Sequence, residues 1–63
     1  MKKYMLIEVN TFGFQNVSYY ELGELDRATD YGDAASRSDL VVKAELYEYF
    51  PGRGYMCIQR WPG

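Results

Sequence analysis

The sequence predicts an α+β domain, a four-stranded antiparallel sheet with one helix on one face, in the order β-β-α-β-β. Two periodicities and their punctuation carry that expectation. Apolar residues alternate over 3–10, 14–22, 40–50 and 55–61, the mark of strands, and recur every three to four residues between Glu24 and Arg37, the mark of a helix. Asn-, Gly- and Pro-rich stretches separate these segments. Sixty-three residues make one small domain, 1–63, at the low end of what folds unaided.

In the first strand Met5, Ile7 and Val9 share one side, with Tyr4, Leu6 and Glu8 on the other. Both sides are largely apolar, so this strand belongs inside the sheet. Asn10-Thr11-Phe12-Gly13 is a turn, because Asn and Gly tolerate positive φ. The returning strand sets Val17, Tyr19 and Glu21 against Ser18, Tyr20 and Leu22. Phe12 and Phe14 flank the turn glycine and are expected to close the end of the core, the alternative being an apolar wedge at the hairpin tip.

The helical segment presents Leu25, Ala28, Tyr31 or Gly32, and Ala35 on one side. These are small residues. Gly32 costs a helix about 1 kcal/mol against alanine, yet beside Ala28 and Ala35 it permits close approach to a sheet. The early acids Glu24 and Asp26, with Arg37 near the end, suit the helix dipole. Leu40, Val42, Ala44, Leu46 and Phe50 then alternate with Val41, Lys43, Glu45, Tyr47 and Tyr49. Pro51-Gly52-Arg53-Gly54 makes the turn into the last strand. If residue 50 faces residue 55, Glu45 opposes Arg60 and Tyr47 opposes Ile58.

One helix shields only one face of such a sheet. Val42, Ala44, Leu46, Phe50, Cys57 and Trp61 are assigned to the helix side. Val41, Tyr47, Tyr49, Met56 and Ile58 then face outward among Lys43, Glu45 and Arg60. The inverse assignment would expose Trp61 and Phe50 instead. In either case an apolar surface is left that suggests a partner, a second copy included.

Composition narrows the chemistry. Seven Tyr, three Phe and one Trp make 17% aromatic residues, suited to half-wet sheet faces and interfaces and equally to plain β-structure. Nine acids against seven bases oppose general binding of phosphates. There is no histidine, and the single cysteine allows neither an intrachain disulfide nor a thiolate zinc site. Gly52-Arg53-Gly54 sits in a hairpin, not in a strand-to-helix phosphate cradle. Cys57 reads as a packing thiol without an activating neighbour. The expectation is a non-enzyme without cofactor or metal. No apolar run approaches membrane-span length, so the reading is soluble and cytoplasmic, without membrane contact.

Two surfaces are candidate sites. Asp26, Asp30 and Asp33 follow helical spacing and share one side, flanked by Glu21, Glu24 and Asp39, against only Arg27 and Arg37. Such a run is ordinarily a solvated helix face. The sharper reading is imitation of a nucleic-acid backbone, with Glu21, Glu24, Asp26, Asp30 and Asp33 entering a basic cleft. The second surface is the sheet face, with Tyr20, Tyr47, Tyr49, Met56 and Ile58 as partner- or dimer-binding residues. Ordinary packing satisfies it, as does a homodimer seam. Base stacking beside Lys43, Arg53 and Arg60 is a third reading, opposed by the net charge.

The strand–strand–helix–strand order, the acidic surplus and Tyr19-Tyr20-Glu21 in the second strand resemble the small dimeric phage proteins that inhibit uracil-DNA glycosylase. The resemblance implies two copies joined through their sheets, filling the enzyme's DNA-binding groove and enclosing one of its apolar side chains. It carries over onto Tyr20 and Glu21 alone. The fourth strand is extra to that pattern, and Tyr31 is the one helix aromatic able to line a pocket. The expected function is therefore a phage-type inhibitor, homodimeric and free of direct nucleic-acid contact, that blocks a host nucleic-acid-handling enzyme in the bacterial cytoplasm. The alternatives are a homodimeric assembly module acting through its tyrosine face and a single-strand nucleic-acid binder.

Overall fold

The computed structural model describes residues 2–62. It contains β1 (Tyr4–Asn10), β2 (Gln15–Tyr20), α1 (Leu25–Ser36), β3 (Val41–Phe50) and β4 (Gly54–Trp61). The strands form one antiparallel sheet in the order β2-β1-β3-β4, with the helix on one side. The expected α+β class and element order hold.

β1 is interior, as its two apolar sides required. Its exit turn is fixed by one side chain: Asn10 Oδ1 accepts from the N–H groups of Phe12 (2.9 Å) and Phe14 (3.0 Å). Gly13, at φ 85°, closes the loop by donating to the Asn10 carbonyl. This geometry holds both phenylalanines outside the core, 75% and 71% exposed, and so overturns the expectation that they seal its end.

The core lies between helix and sheet. Leu6 and Leu46 face each other across β1 and β3, fully buried, with Tyr4, Tyr20, Ala28, Ala44 and Trp61 around them. Each buried leucine contributes about 1.5–3 kcal/mol. Ala28 and Gly32 are the buried residues of the helix. Small side chains there bring α1 down until the Trp61 ring lies against Gly32, where a Cβ would overlap it. The indole Nε1–H donates to Asp33 Oδ1 at 2.6 Å, so the side chain is held both at its N–H and at its six-membered ring.

Ala44, Leu46, Phe50 and Trp61 do lie on the helix side, and the inverse assignment fails. Beyond Arg60 the β4 phase departs from simple alternation. Glu45 opposes Arg60 as expected, but Leu46 pairs with Gln59 and Tyr47 with Cys57, leaving Ile58 as an inserted residue. Counted back from Arg60, such a bulge puts every side chain that precedes Ile58 in β4 on the other face from the one simple alternation gives. Cys57 therefore lies on the outer face opposite Tyr47, and Met56 on the helix side opposite Glu48, the reverse of their assignment. Phe50 faces Gly54 and not Tyr55. A second irregularity sits between Val9 and Asn10, where the pairing jumps from Lys43 to Val41 and leaves Val42 unpaired and exposed.

Alanine normally improves a helix over glycine by about 1 kcal/mol. At position 32 we expect Gly32→Ala to destabilise by about 1–3 kcal/mol, because its methyl must displace the Trp61 ring. Urea unfolding measures the sign directly.

Candidate interaction surfaces

Opposed residues in an antiparallel ladder share a face, so the register assembles the outer surface row by row. Tyr19, Met5, Tyr47 and Cys57 form one row; Val17, Ile7, Glu45 and Arg60 form the next. Tyr49 and Tyr55 are paired nearer the β3–β4 turn, with ring centroids 5.4 Å apart at 67°. Among the described residues no helix crosses this face. Toward the Lys2 end the rings of Tyr19 on β2 and Tyr55 on β4 have centroids 6.5 Å apart, although these strands are opposite edges. Tyr55 Oη also donates to the Lys2 carbonyl at 2.8 Å. The tyrosines partly roof their own face, yet Met5, Ile7, Val9, Tyr47, Tyr49 and Tyr55 all stay half-buried.

The sheet-face set divides. Tyr47 and Tyr49 are on the outer surface, where Glu45 accepts from Tyr47 Oη (3.4 Å) and pairs with Arg60 (3.4 Å). Burial pushes the Tyr47 phenol up, and the Glu45 charge adds to it. Met56 and Ile58 lie around the β4 edge, both partly exposed. With Phe50, Pro51, Arg53 and Cys57 they line an open concavity of about 490 Å³, largely apolar and with one cation at its rim. Tyr20 does not belong with them. It is buried under the helix against Tyr31, ring centroids 6.0 Å apart.

The acidic set also divides. Asp33 is committed to Trp61. Glu24 reaches back to the Glu21 N–H (2.7 Å) and pairs with Arg27 (3.1 Å), while Glu21 pairs with Lys2. Asp26 and Asp30 are exposed, and neither forms an ion pair among the described residues. They are the part of the predicted acidic face that stays free.

A further surface lies at the hairpin tip, where the sequence offers Phe12 and Phe14 as an apolar wedge but does not join Leu40 and Val42 to them. Thr11 N–H donates to the Leu40 carbonyl (2.9 Å), joining the Asn10–Phe14 turn to the start of β3. Phe12, Phe14, Leu40 and Val42 thus project at one end of the sheet, each more than half exposed. The available signal was that residues inside a tight turn lie beyond the last pair of the ladder.

Among the described residues no group of His, Cys, Asp and Glu is arranged to hold a metal, and no helix is long and apolar enough to cross a membrane. Comparison with protein-family models, curated proteins and solved structures found no match.

The carboxylates should separate by effect. Asp33→Ala leaves the indole donor without its partner and should cost about 1–3 kcal/mol, whereas Asp26→Asn with Asp30→Asn should change stability by no more than about 0.5 kcal/mol, both read from denaturant midpoints. The Glu21 N–H first, then Arg27, hold the Glu24 carboxyl below its ordinary value. A lowered folded value means stability that is present above the unfolded value near 4.5 and lost as pH falls through the folded one. Glu24→Gln should accordingly reduce the loss of stability on acidification, followed by thermal melts below pH 5.

Proposed function

We propose that the protein is a non-catalytic contact module that binds a protein partner through the sheet face its helix leaves uncovered. The contact runs from Tyr47 and Tyr49 around the β4 edge to Met56 and Ile58. One observation carries the reading: a half-buried aromatic surface with no element over it continues into an open apolar concavity. Tyrosine and arginine are enriched in interfaces because each combines apolar area with a polar tip. Here Arg53 stands at the rim of a recess wide enough for a partner's apolar side chain. The same recess offers one guanidinium and one thiol but no acid–base pair, which favours contact over catalysis.

A second reading, a phage-type inhibitor entering a basic cleft on a nucleic-acid-handling enzyme, is favoured by Asp26 and Asp30. Like charges at i, i+4 weaken a helix by a few tenths of a kcal/mol, and among the described residues no base forms an ion pair with either. Its acidic face is smaller than the sequence implies, because Asp33, Glu24 and Glu21 are engaged within the chain.

Immobilised wild-type chain should be compared with Tyr47→Asp/Ile58→Asp and Asp26→Asn/Asp30→Asn, each checked for fold by circular dichroism. Quantitative mass spectrometry of the retained proteins should find a partner kept by wild type and the Asn pair but reduced at least about tenfold by the Asp pair. Loss confined to the Asn pair and steepened by salt would select the acidic reading. Equal retention by all three chains sinks both.

A further inference from the structure

The two edges of the sheet are built differently. The β4 edge carries the Ile58 bulge and Arg60, features that discourage strand addition. The β2 edge, Gln15-Asn16-Val17-Ser18-Tyr19-Tyr20, has neither charge nor proline, and its ladder to β1 is regular from Tyr4↔Tyr20 to Val9↔Gln15. The helix packs mainly on β3 and β1 and meets the β2 strand at Tyr20, against Tyr31, while Gln15, Asn16, Val17 and Tyr19 stay exposed. An uncharged, regular and uncovered edge strand is a template for pairing.

The backbone pattern says with what. The Asn10 N–H donates to the Phe14 carbonyl at 3.0 Å, which fixes the phase of the β1–β2 ladder. Residues alternate in direction along an antiparallel strand. Asn16, Ser18 and Tyr20 therefore point their backbone groups at β1, while the N–H and C=O groups of Gln15, Val17 and Tyr19 point into the open. That open set is symmetric about Val17. We infer that the β2 edge is a self-association site, where a second copy of this chain pairs antiparallel about a two-fold axis at Val17. In that register Val17 meets Val17 of the copy and Gln15 meets Tyr19, so every open backbone group of these residues finds its complement. Opposed residues share a face, so both helices lie on the same side and both outer aromatic surfaces join. Val17 and Tyr19, 40% and 53% exposed, are the side chains this contact covers.

The inference is independent of the heterologous contact proposed above, and the experiment keeps them apart. Val17→Pro removes an N–H that β1 does not use, and Val17→Lys sets two ammonium groups against each other at the axis. Light scattering over a dilution series should give wild type a mass near twice the 7.4 kDa of one chain at high concentration. Both variants should stay at the single-chain mass or dissociate at least about tenfold more readily, like charges opposed across a ladder being destabilising. In wild type the amides of Val17 and Tyr19 should gain exchange protection with concentration. A single-chain mass throughout, or a dimer equally tight in Val17→Lys, overturns the inference. A dimer broken by Tyr47→Asp but indifferent to Val17→Lys overturns it too, by placing the seam on the outer face. A single-chain mass, or a dimer indifferent to Val17→Lys and to Tyr47→Asp, leaves partner retention by the Tyr47 and Ile58 surface unaffected.

Discussion

The fold depends on how closely one short helix approaches one small sheet. With twelve residues in the helix, the protein has little apolar area to spend on a loose contact. Ala28 and Gly32 remove the side chains that would hold the layers apart, and Trp61 fills the gap from the last strand. The indole is fixed by packing against Gly32 and by its N–H on Asp33, so the end of the chain is tied to the middle of the helix. Leu6 and Leu46 can be fully buried because that clamp brings the layers together. The sheet's other side receives no such cover.

That one-sidedness organises the rest of the surface. Aromatic rings gather on the face without a helix, where a phenol can hold a polar partner while its ring lies on neighbours. Tyr55 does so with the Lys2 carbonyl, and Tyr47 with Glu45. On the helix side, carboxylates that seem free in the linear chain are drawn into local work. Glu24 holds the loop before the helix, and Asp33 anchors the indole. The protein carries a net charge of −2, but its acidic helix face is only partly available.

Class, element order and strand spans were legible because each is written in a repeat of two or of three to four residues. Ala44, Leu46 and Trp61 were placed on the correct side for that reason. Cys57 and Met56 were placed on the wrong side because a bulge inserts one residue without any signature in side-chain type, and parity fails beyond it. Tyr20 reads as surface in the sequence because its ring suits either environment; only the nearness of Tyr31 decides. Phe12 and Phe14 were drawn inward by their hydrophobicity, when the Asn10 carboxamide holds their backbone outside the sheet. Asp33 was grouped with Asp26 and Asp30 by correct helical geometry. Its commitment to Trp61 is a long-range contact that spacing cannot express.

The inserted Ile58 has an effect that reaches beyond the single molecule. A sheet with two equally receptive borders would add chain after chain and grow into a fibre. Here the bulge makes one border a poor template, so association through the opposite border, as inferred above, would end at a closed pair. In such a pair one unpaired residue would set an upper limit on assembly size, and a variant lacking it would trade a finite particle for an open-ended polymer.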